Sequence, residues 1–362
     1  MPDWGITLAP TSVHVSFLVA PVPILLHSLQ LASDCETLSG LSRWLTDFYQ
    51  SLTTQEQEDL NVVTWYMSDR HAFDNQNTTF PQFIAMLEKT DPIQFRDEAT
   101  SWMKKRTNFP GYQEIYSSYS VYDTFIRGLY TEKNDKSWEY NETHHRRVWT
   151  YLSDPIGVKH LIVSFLTMTW DKYLKAEWKR VEPMLRECVE AFNQIDFSNM
   201  PTEAIVETVT ARDLKSSDFF EKEMNEATHM QFVPSPYIGP YVSWLSDEKN
   251  GDDLIFFGAR MPKNATRRSD ELSRSELLIR LNALADETRL RMLEMLTRNE
   301  EICAQDFITE LDLSQSSASR HLRQLTASGY ITERRRDVAK CYTLNKERIN
   351  DTINALSQFV EK

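Results

Sequence analysis

The sequence has 362 residues, a length that suits two or three domains. Its formal net charge is −13, so contact with nucleic acid is confined to any segment in which the sign of the charge reverses. Four scattered cysteines have no framework spacing, and the N-terminus lacks the basic region of a secretory signal. Both features favour a reducing, cytoplasmic environment.

The first elements come from an apolar stretch, Val13–Ala32, which changes from period 2 to period 3.6 and contains two prolines. This pattern predicts a strand and then a helix, and it argues against a membrane span. Helical segments are predicted next, at 38–52, 54–67, 81–87, 92–105, 113–130, 142–152, 155–195 and 204–214. In the longest of them, 155–195, Pro183 is expected to break or kink the helix.

Three strands come next, at 230–233, 241–245 and 253–258, with a rigid Pro-rich loop between the first two. We therefore expect residues 1–262 to form a mainly helical domain with a small sheet, to which the first strand can also belong. Together with the C-terminal segment described below, this gives an α+β fold class.

Motifs of the common catalytic sites are absent from the sequence, which has no phosphate-binding glycine loop, no Gly-x-Ser-x-Gly elbow and no His-Glu-x-x-His helix. The densest polar cluster runs from Glu142 to Arg147. Its adjacent histidines point about 100° apart on a helix, which suits a solvated face better than a metal site. Aromatic residues between 149 and 178 have the spacing of a helical core, and a subset of them would suit an apolar pocket. We predict no catalytic residue, no cofactor and no metal.

A change of composition marks the end of this region, because all nine tryptophans lie at or before Trp244. Residues 263–275 are polar and are predicted to be a linker. The segment 276–362 then shows three amphipathic stretches followed by two short strands, which is the order of a winged helix-turn-helix. Asp286 is a suitable N-cap for the first stretch, in which Leu290, Leu293 and Leu296 share one face. The second stretch is 304–311.

The third stretch is the candidate reading helix, and Ser314 is its natural N-cap. Ala318, Leu322 and Leu325 form its buried stripe. That placement puts three polar residues on the opposite face, Ser316, Arg320 and Arg323. Gln315 lies in the first turn, where such a helix enters the major groove, and Gly329 ends the helix.

The wing is predicted from strands 330–335 and 340–344, and it carries Arg334, Arg335, Arg336 and Lys340. Lys and Arg outnumber Asp and Glu from the start of the reading helix to the end of this group. Such local basicity in an acidic chain is what a phosphate backbone requires.

The C-terminal segment resembles the ArsR-type metalloregulator repressors over residues 272–362. The resemblance rests on Leu284–Leu290, Leu313–Leu322, Gly329 and a wing that ends in Tyr342. It implies a DNA-binding transcriptional repressor that contacts a double-stranded operator through Gln315, Ser316, Ser319 and Arg320. The loop Phe232–Tyr241 resembles part of an uncharacterised N-terminal domain of longer ArsR-type regulators, which implies no known ligand.

The metal ligands common in that family are missing from this sequence. The stretch that matches the family's Cys-x-Cys pair has one cysteine, Cys303, and the last helix, 346–360, has no histidine. A borderline metal needs three or four N or S ligands. We therefore expect Cys303 and Cys341 to be small core residues, and any signal to enter elsewhere in the chain.

Apolar stripes on 275–284 and 348–359 flank the winged unit and predict a homodimer. Three functions remain open for residues 1–262. The first is a sensor for a small molecule or partner, which would make the chain a one-component regulator. The second is a dimerisation or docking scaffold, and the third is an enzyme fused to a DNA-binding segment. The predicted DNA-binding residues are Gln315, Ser316, Ser319, Arg320, Arg323, Arg334, Arg335, Arg336 and Lys340.

Overall fold

The computed structural model describes residues 13–67, 69–101, 103, 114–132, 140–212, 214, 218–247, 251–262, 270–336 and 339–361. They pack as two compact units. One, here called the helical unit, consists of residues 20–33 and the described part of 47–178. The other, the mixed unit, consists of 13–19, 34–46 and the described part of 179–362. The small sheet and the C-terminal segment lie in the same unit, and the boundary at 262 stays a prediction.

Helices account for most of both units. In chain order they are α1 Pro21–Ser33, α2 Arg43–Ser51, α3 Thr54–Tyr66, α4 Asp69–Asp74, α5 Phe80–Lys89, α6 Pro92–Ala99, α7 Tyr119–Glu132, α8 Glu142–Leu152, α9 Pro155–Thr169, α10 Lys175–Phe192, α11 Thr202–Thr210, α12 Asp218–Glu226, α13 Asp270–Leu284, α14 Glu287–Arg298, α15 Ala304–Glu310, α16 Gln315–Ala327 and α17 Lys346–Val360. In the described residues, no helix is both long enough and apolar enough to cross a membrane.

The helical unit is built around α9, which packs against α3, α5, α6 and α8. Asp154 caps its start by accepting a hydrogen bond from the Gly157 amide, and Val158, Ile162 and Leu166 are buried. A π-helical segment, Trp170–Leu174, joins α9 to α10. The expected break at Pro183 is wrong, because that proline lies inside α10 and the irregularity comes a few turns earlier.

The polar cluster on α8 is less solvated than expected. His145 is buried, and its Nδ1 lies 3.2 Å from the Tyr122 hydroxyl oxygen. The adjacent His144 ring lies 5.1 Å from it at a steep interplanar angle, as the 100° helical step requires. Burial, and then the proximity of His144, lower the pKa of His145 to about 4. The cluster therefore contributes to the core of the helical unit as well as to its surface.

The mixed unit contains a sheet with the order β1-β2-β4-β3, where β1 is His14–Phe17, β2 His229–Ser235, β3 Ser243–Asp247 and β4 Asp252–Gly258. The first strand does belong to this sheet: it pairs parallel to β2, with Phe17 opposite Phe232. The two central strands, β2 and β4, are also parallel and buried along most of their length, which explains their continuous apolar runs.

The C-terminal segment contains a second sheet, ordered β5-β7-β6, with β5 Ile302–Cys303, β6 Ile331–Arg336 and β7 Ala339–Leu344. Its core includes Met292, Phe307, Leu322 and Tyr330. One sequence expectation is wrong here, because Leu290 is 52% exposed and Arg289 beside it is buried instead. Helix α13 begins at Asp270, within the expected 263–275 linker, whose first half lies outside the described residues.

Candidate nucleic-acid interface

The candidate reading helix, α16, begins and ends as its sequence predicts. The Ser314 hydroxyl accepts a hydrogen bond from the Ser317 amide at 3.1 Å, which satisfies one of the free N–H groups of the first turn. At the other end Gly329 has a φ of 77°, and the amides of Gly329 and Tyr330 bond back to the last turn. A left-handed residue at this position favours glycine, and it turns the chain into the wing.

The buried side of α16 is the predicted stripe, since Ala318, Leu322 and Leu325 are at most 2% exposed. Two polar residues share that side, His321 and Gln324. His321 packs against the start of α14, where its Nδ1 lies 3.6 Å from a carboxylate oxygen of Asp286. His321 is therefore a packing residue on the buried side of α16.

The opposite side of α16 carries five exposed side chains, and all five belong to the predicted DNA-binding set. None of them is needed to pack the domain. They form one continuous polar and basic face, here called the reading face, which consists of Gln315, Ser316, Ser319, Arg320 and Arg323.

The wing brings further positive charge, but two of its basic side chains are paired with acids. Arg334 forms a bidentate ion pair with Glu301, in which the Nη2–Oε2 distance is 2.8 Å. Lys340 Nζ lies 2.9 Å from Glu333 Oε1. Arg336 is exposed near the end of β6. The side chain of Arg335 and the tip at 337–338 lie outside the described residues.

A buried arginine that sequence analysis missed, Arg289, joins the start of α14 to the end of α13. Arg289 donates from Nε to the Ala283 carbonyl at 2.6 Å and from Nη2 to the Asn282 carbonyl at 2.8 Å. These carbonyls end α13, where a cation is favourable and the carbonyls lack helical partners. The sequence signal was available, because Arg289 follows the N-cap Asp286 by three residues and must lie beside it.

The two cysteines of this segment form a disulfide, which corrects the expectation that they are separate core thiols. Cys303 in β5 and Cys341 in β7 are directly opposite each other in the antiparallel register. Neither sulfur is a free thiolate in this state. Sequence analysis placed Cys341 in the wing but did not expect β5, so nothing brought the two together. Among the described residues, no group of three or more His, Cys, Asp or Glu side chains is placed to hold a metal ion.

These features define a winged helix-turn-helix, a class of domain that reads DNA. Residues 286–333 match the model of the bacterial regulatory protein, arsR family. The chain is similar to the arsenic resistance transcriptional regulator ArsR1 of Pseudomonas putida, with 41% identity over 64 residues, 18% of this chain and 50% of that protein. It is also similar to the arsenical resistance operon repressor of Escherichia coli, with 46% identity over 52 residues, 14% of this chain and 44% of the other.

A third relative is the transcriptional activator HlyU of Vibrio cholerae, which is 33% identical over 86 residues, 24% of this chain and 79% of that protein. The chain therefore belongs to the ArsR family. It spans about half the length of the arsenic-resistance relatives. Each of these matches covers at most 24% of the chain.

Proposed function

We propose that this protein is a one-component transcriptional repressor that reads a double-stranded operator with the reading face and holds the phosphate backbone with the wing. The observation that carries the proposal is the segregation of charge and burial on α16. Its apolar side packs the domain, whereas Gln315, Ser316, Ser319, Arg320 and Arg323 are exposed together in a chain of net charge −13. Gln315 is assigned to a base edge, and Arg320 to the floor or rim of the groove.

The basic residues of the wing differ in how readily they can bind a phosphate in this proposal. Arg336 is assigned to a phosphate because its side chain is exposed. Arg334 and Lys340 must exchange an acid for a phosphate, since Glu301 and Glu333 already accept from them. Arg335 keeps the phosphate role that its sequence position predicts.

The active form is proposed to be a homodimer that spans two half-sites about 34–36 Å apart. Helix α17 supports this because Ile353, Leu356, Phe359 and Val360 are all more than a third exposed, and Leu278 of the neighbouring α13 is 53% exposed. An exposed apolar patch of this kind suits a second copy of the same surface. Ile353→Asp should shift the protein toward monomer in sedimentation analysis, whereas Asn354→Asp, on the exposed polar side, should leave the dimer intact.

Signal transfer is proposed to pass through the Pro-rich loop between β2 and β3. Within the mixed unit, Gly239 of this loop is so close to Gly40 that a Cβ would lie 2.1 Å from the Gly40 carbonyl oxygen. Gly40 in turn abuts the side chain of Gln324, on the buried side of the reading helix. A displacement of the loop would therefore be transmitted through Gly40 to the buried side of α16.

The DNA-reading proposal is tested with the full chain and a random duplex library, from which the protein must select a sequence. Repression requires that the selected duplex bind tightly without an added effector and that transcription from a promoter overlapping it fall. Failure to enrich any sequence, at salt concentrations where nonspecific binding is weak, would contradict the proposal.

The role of residues 1–262 is tested by a small-molecule thermal-shift screen on the full chain. Stabilisation by a compound without turnover supports a sensor, which is the role proposed here. A stable dimer with no hit supports a scaffold, and turnover of a hit supports an enzyme. Zinc and thiophilic ions are expected to leave operator affinity unchanged, and a tenfold metal-dependent release would contradict that expectation.

A further inference from the structure

A group of arginines lies inside the mixed unit, away from the reading face. Arg212 follows α11, Arg260 follows β4, Arg280 is on α13 and Arg348 is in the first turn of α17. The side chains of Arg260 and Arg280 are 7% and 12% exposed. Each of the four guanidiniums is close enough to repel the other three. We call these four residues the arginine cluster.

The negative charge available to this cluster is small. Among the described side chains, one carboxylate interacts with it, that of Glu276. Glu276 accepts a hydrogen bond from Arg280 Nη2, and its other oxygen lies 4.0 Å from Arg260 Nε. Since guanidiniums remain charged in proteins, the cluster holds an excess of positive charge, in which Arg260 is buried and the other three arginines are half-buried. Burial, and then Arg348 and Arg260, lower the pKa of Arg212 to about 9, which is the expected consequence of such crowding.

Backbone carbonyls satisfy part of the cluster. Arg212 Nε donates to the Pro240 carbonyl at 2.9 Å, and Arg348 Nε donates to the Ser328 carbonyl at 3.0 Å. Arg260 Nη1 lies 3.3 Å from the carbonyls of Thr208 and Val209, at the end of α11. Arg260 and Arg348 thus place positive charge at the carbonyl ends of α11 and α16, where it is favourable, but a neutral carbonyl does not cancel a full charge.

Two donors in the cluster have no acceptor. The buried Nε atoms of Arg260 and Arg280 make no hydrogen bond. Arg260 as a residue is only 6% exposed, so solvent does not replace the missing partner. A buried charged donor without an acceptor is costly, and a bound anion that accepts from it removes that cost. Planar guanidinium forks suit the oxygens of phosphoryl and carboxylate groups.

We propose that the arginine cluster is a binding site for a small multivalent oxyanion, a phosphoryl or polycarboxylate compound. Arg260 is buried and the other three arginines are half-buried, which leaves no open surface for a duplex backbone, so the site is separate from the reading face. The site adjoins α16, because Arg348 bonds to the Ser328 carbonyl at the end of that helix, and Arg212 bonds to Pro240 of the Pro-rich loop. An anion there would act as the effector of the regulator, and in that respect alone the inference rests on the proposed function.

Binding is measured without DNA, so that failure of the site and failure of the DNA-reading proposal remain distinguishable. The probe is inorganic phosphate, titrated into the full chain by calorimetry and thermal shift against chloride at equal ionic strength. Citrate and a nucleoside monophosphate form parallel arms that separate carboxylate from phosphoryl recognition. Phosphate or citrate should raise the unfolding midpoint above that in chloride.

The variants decide where the anion binds. Arg280→Gln should weaken binding about tenfold, the loss of one charge-assisted contact. The matched control is Arg186→Gln, since Arg186 is 63% exposed in the same unit, and it should behave as the wild type. Glu276→Gln removes the competing carboxylate and should respond to the anion more strongly than the wild type. This second variant keeps the test valid if Arg280→Gln does not fold.

Two results would overturn the inference. One is the absence of any stabilisation beyond chloride in both the wild type and Glu276→Gln. The other is an equal response of Arg280→Gln, Arg186→Gln and the wild type, which would place the anion on the surface. If operator affinity is unchanged by a bound anion, the site stands and its role as an effector site is rejected.

Discussion

The mixed unit contains two groups of arginines that differ mainly in what surrounds them. Arg320 and Arg323 are exposed on α16, and Arg336 is exposed on the wing. The arginine cluster is enclosed, and its guanidiniums face helix-ending carbonyls and Glu276. Exposed arginines can exchange water for phosphate at low cost, whereas enclosed ones must keep every partner they have. An arginine is therefore assigned to a DNA interface where it is exposed, and to an anion-binding site where it is enclosed.

The largest expected effect comes from the one described carboxylate of the arginine cluster. Glu276→Gln should lower the free energy of unfolding by about 3 kcal/mol, because it leaves buried guanidiniums without their charged partner. The exposed pair Glu294–Arg298 provides the control, and Glu294→Gln should cost less than about 1 kcal/mol. Urea unfolding of both variants measures the difference. Equal effects would show that burial does not distinguish the two groups.

The disulfide of the winged segment is expected to matter almost as much. Cys303→Ser should lower the free energy of unfolding by about 2–4 kcal/mol, since it removes the link between β5 and β7. A reductant should lower the stability of the wild type to that of the variant and leave the variant unaffected. Cys35→Ser, at a free and half-buried cysteine, is the control. Identical stability with and without reductant would mean that the bond does not form in solution.

A buried histidine extends the comparison to the helical unit. The pKa of His145 is lowered from 6.5 to about 4, so the folded state favours the neutral ring. Its contribution is complete above pH 6.5 and is lost as the pH falls from 6.5 toward 4, because the unfolded chain takes up the proton first. The loss is at most about 3 kcal/mol. His145→Gln should flatten stability across that window, and the exposed His160→Gln should not. Parallel pH profiles for the two variants would contradict the assignment.

The smallest effects are expected at the wing. Arg336→Ala should weaken binding to all duplexes alike and reduce the salt dependence by about one unit of slope, as the loss of one phosphate contact requires. Arg334→Ala should change that slope less, because Glu301 already holds its guanidinium. Binding to a random duplex at several salt concentrations checks both. A larger slope change for Arg334→Ala would reverse their roles.

The C-terminal segment could be predicted closely from sequence because its signals are local. The N-cap Ser314, the spacing of Ala318, Leu322 and Leu325, and the left-handed Gly329 each specify structure within a few residues. The helix type and order in residues 13–262 were also recovered where periodicity was strong. The π segment after α9 was missed, because a single extra residue per turn leaves no compositional signal.

The arginine cluster and the disulfide could not be predicted, because they depend on contacts between distant parts of the chain. Arg212 and Arg348 are far apart in sequence and come near one another only in the folded mixed unit. Cys303 and Cys341 become partners through a two-residue strand that has no periodicity of its own. The assignments on the reading face are predictions that rest on exposure and position.

The central claim, that the exposed face of α16 reads DNA, is tested most directly by fluorescence anisotropy with Gln315→Ala and Arg320→Ala. The wild type and both variants are titrated with a duplex selected by the wild type and with a random duplex of equal length. Each variant should lose roughly 1–3 kcal/mol on the selected duplex and much less on the random one, because a base contact is lost while phosphate contacts remain. If both variants bind the selected duplex within about twofold of the wild type, α16 is not the reading helix and the account fails.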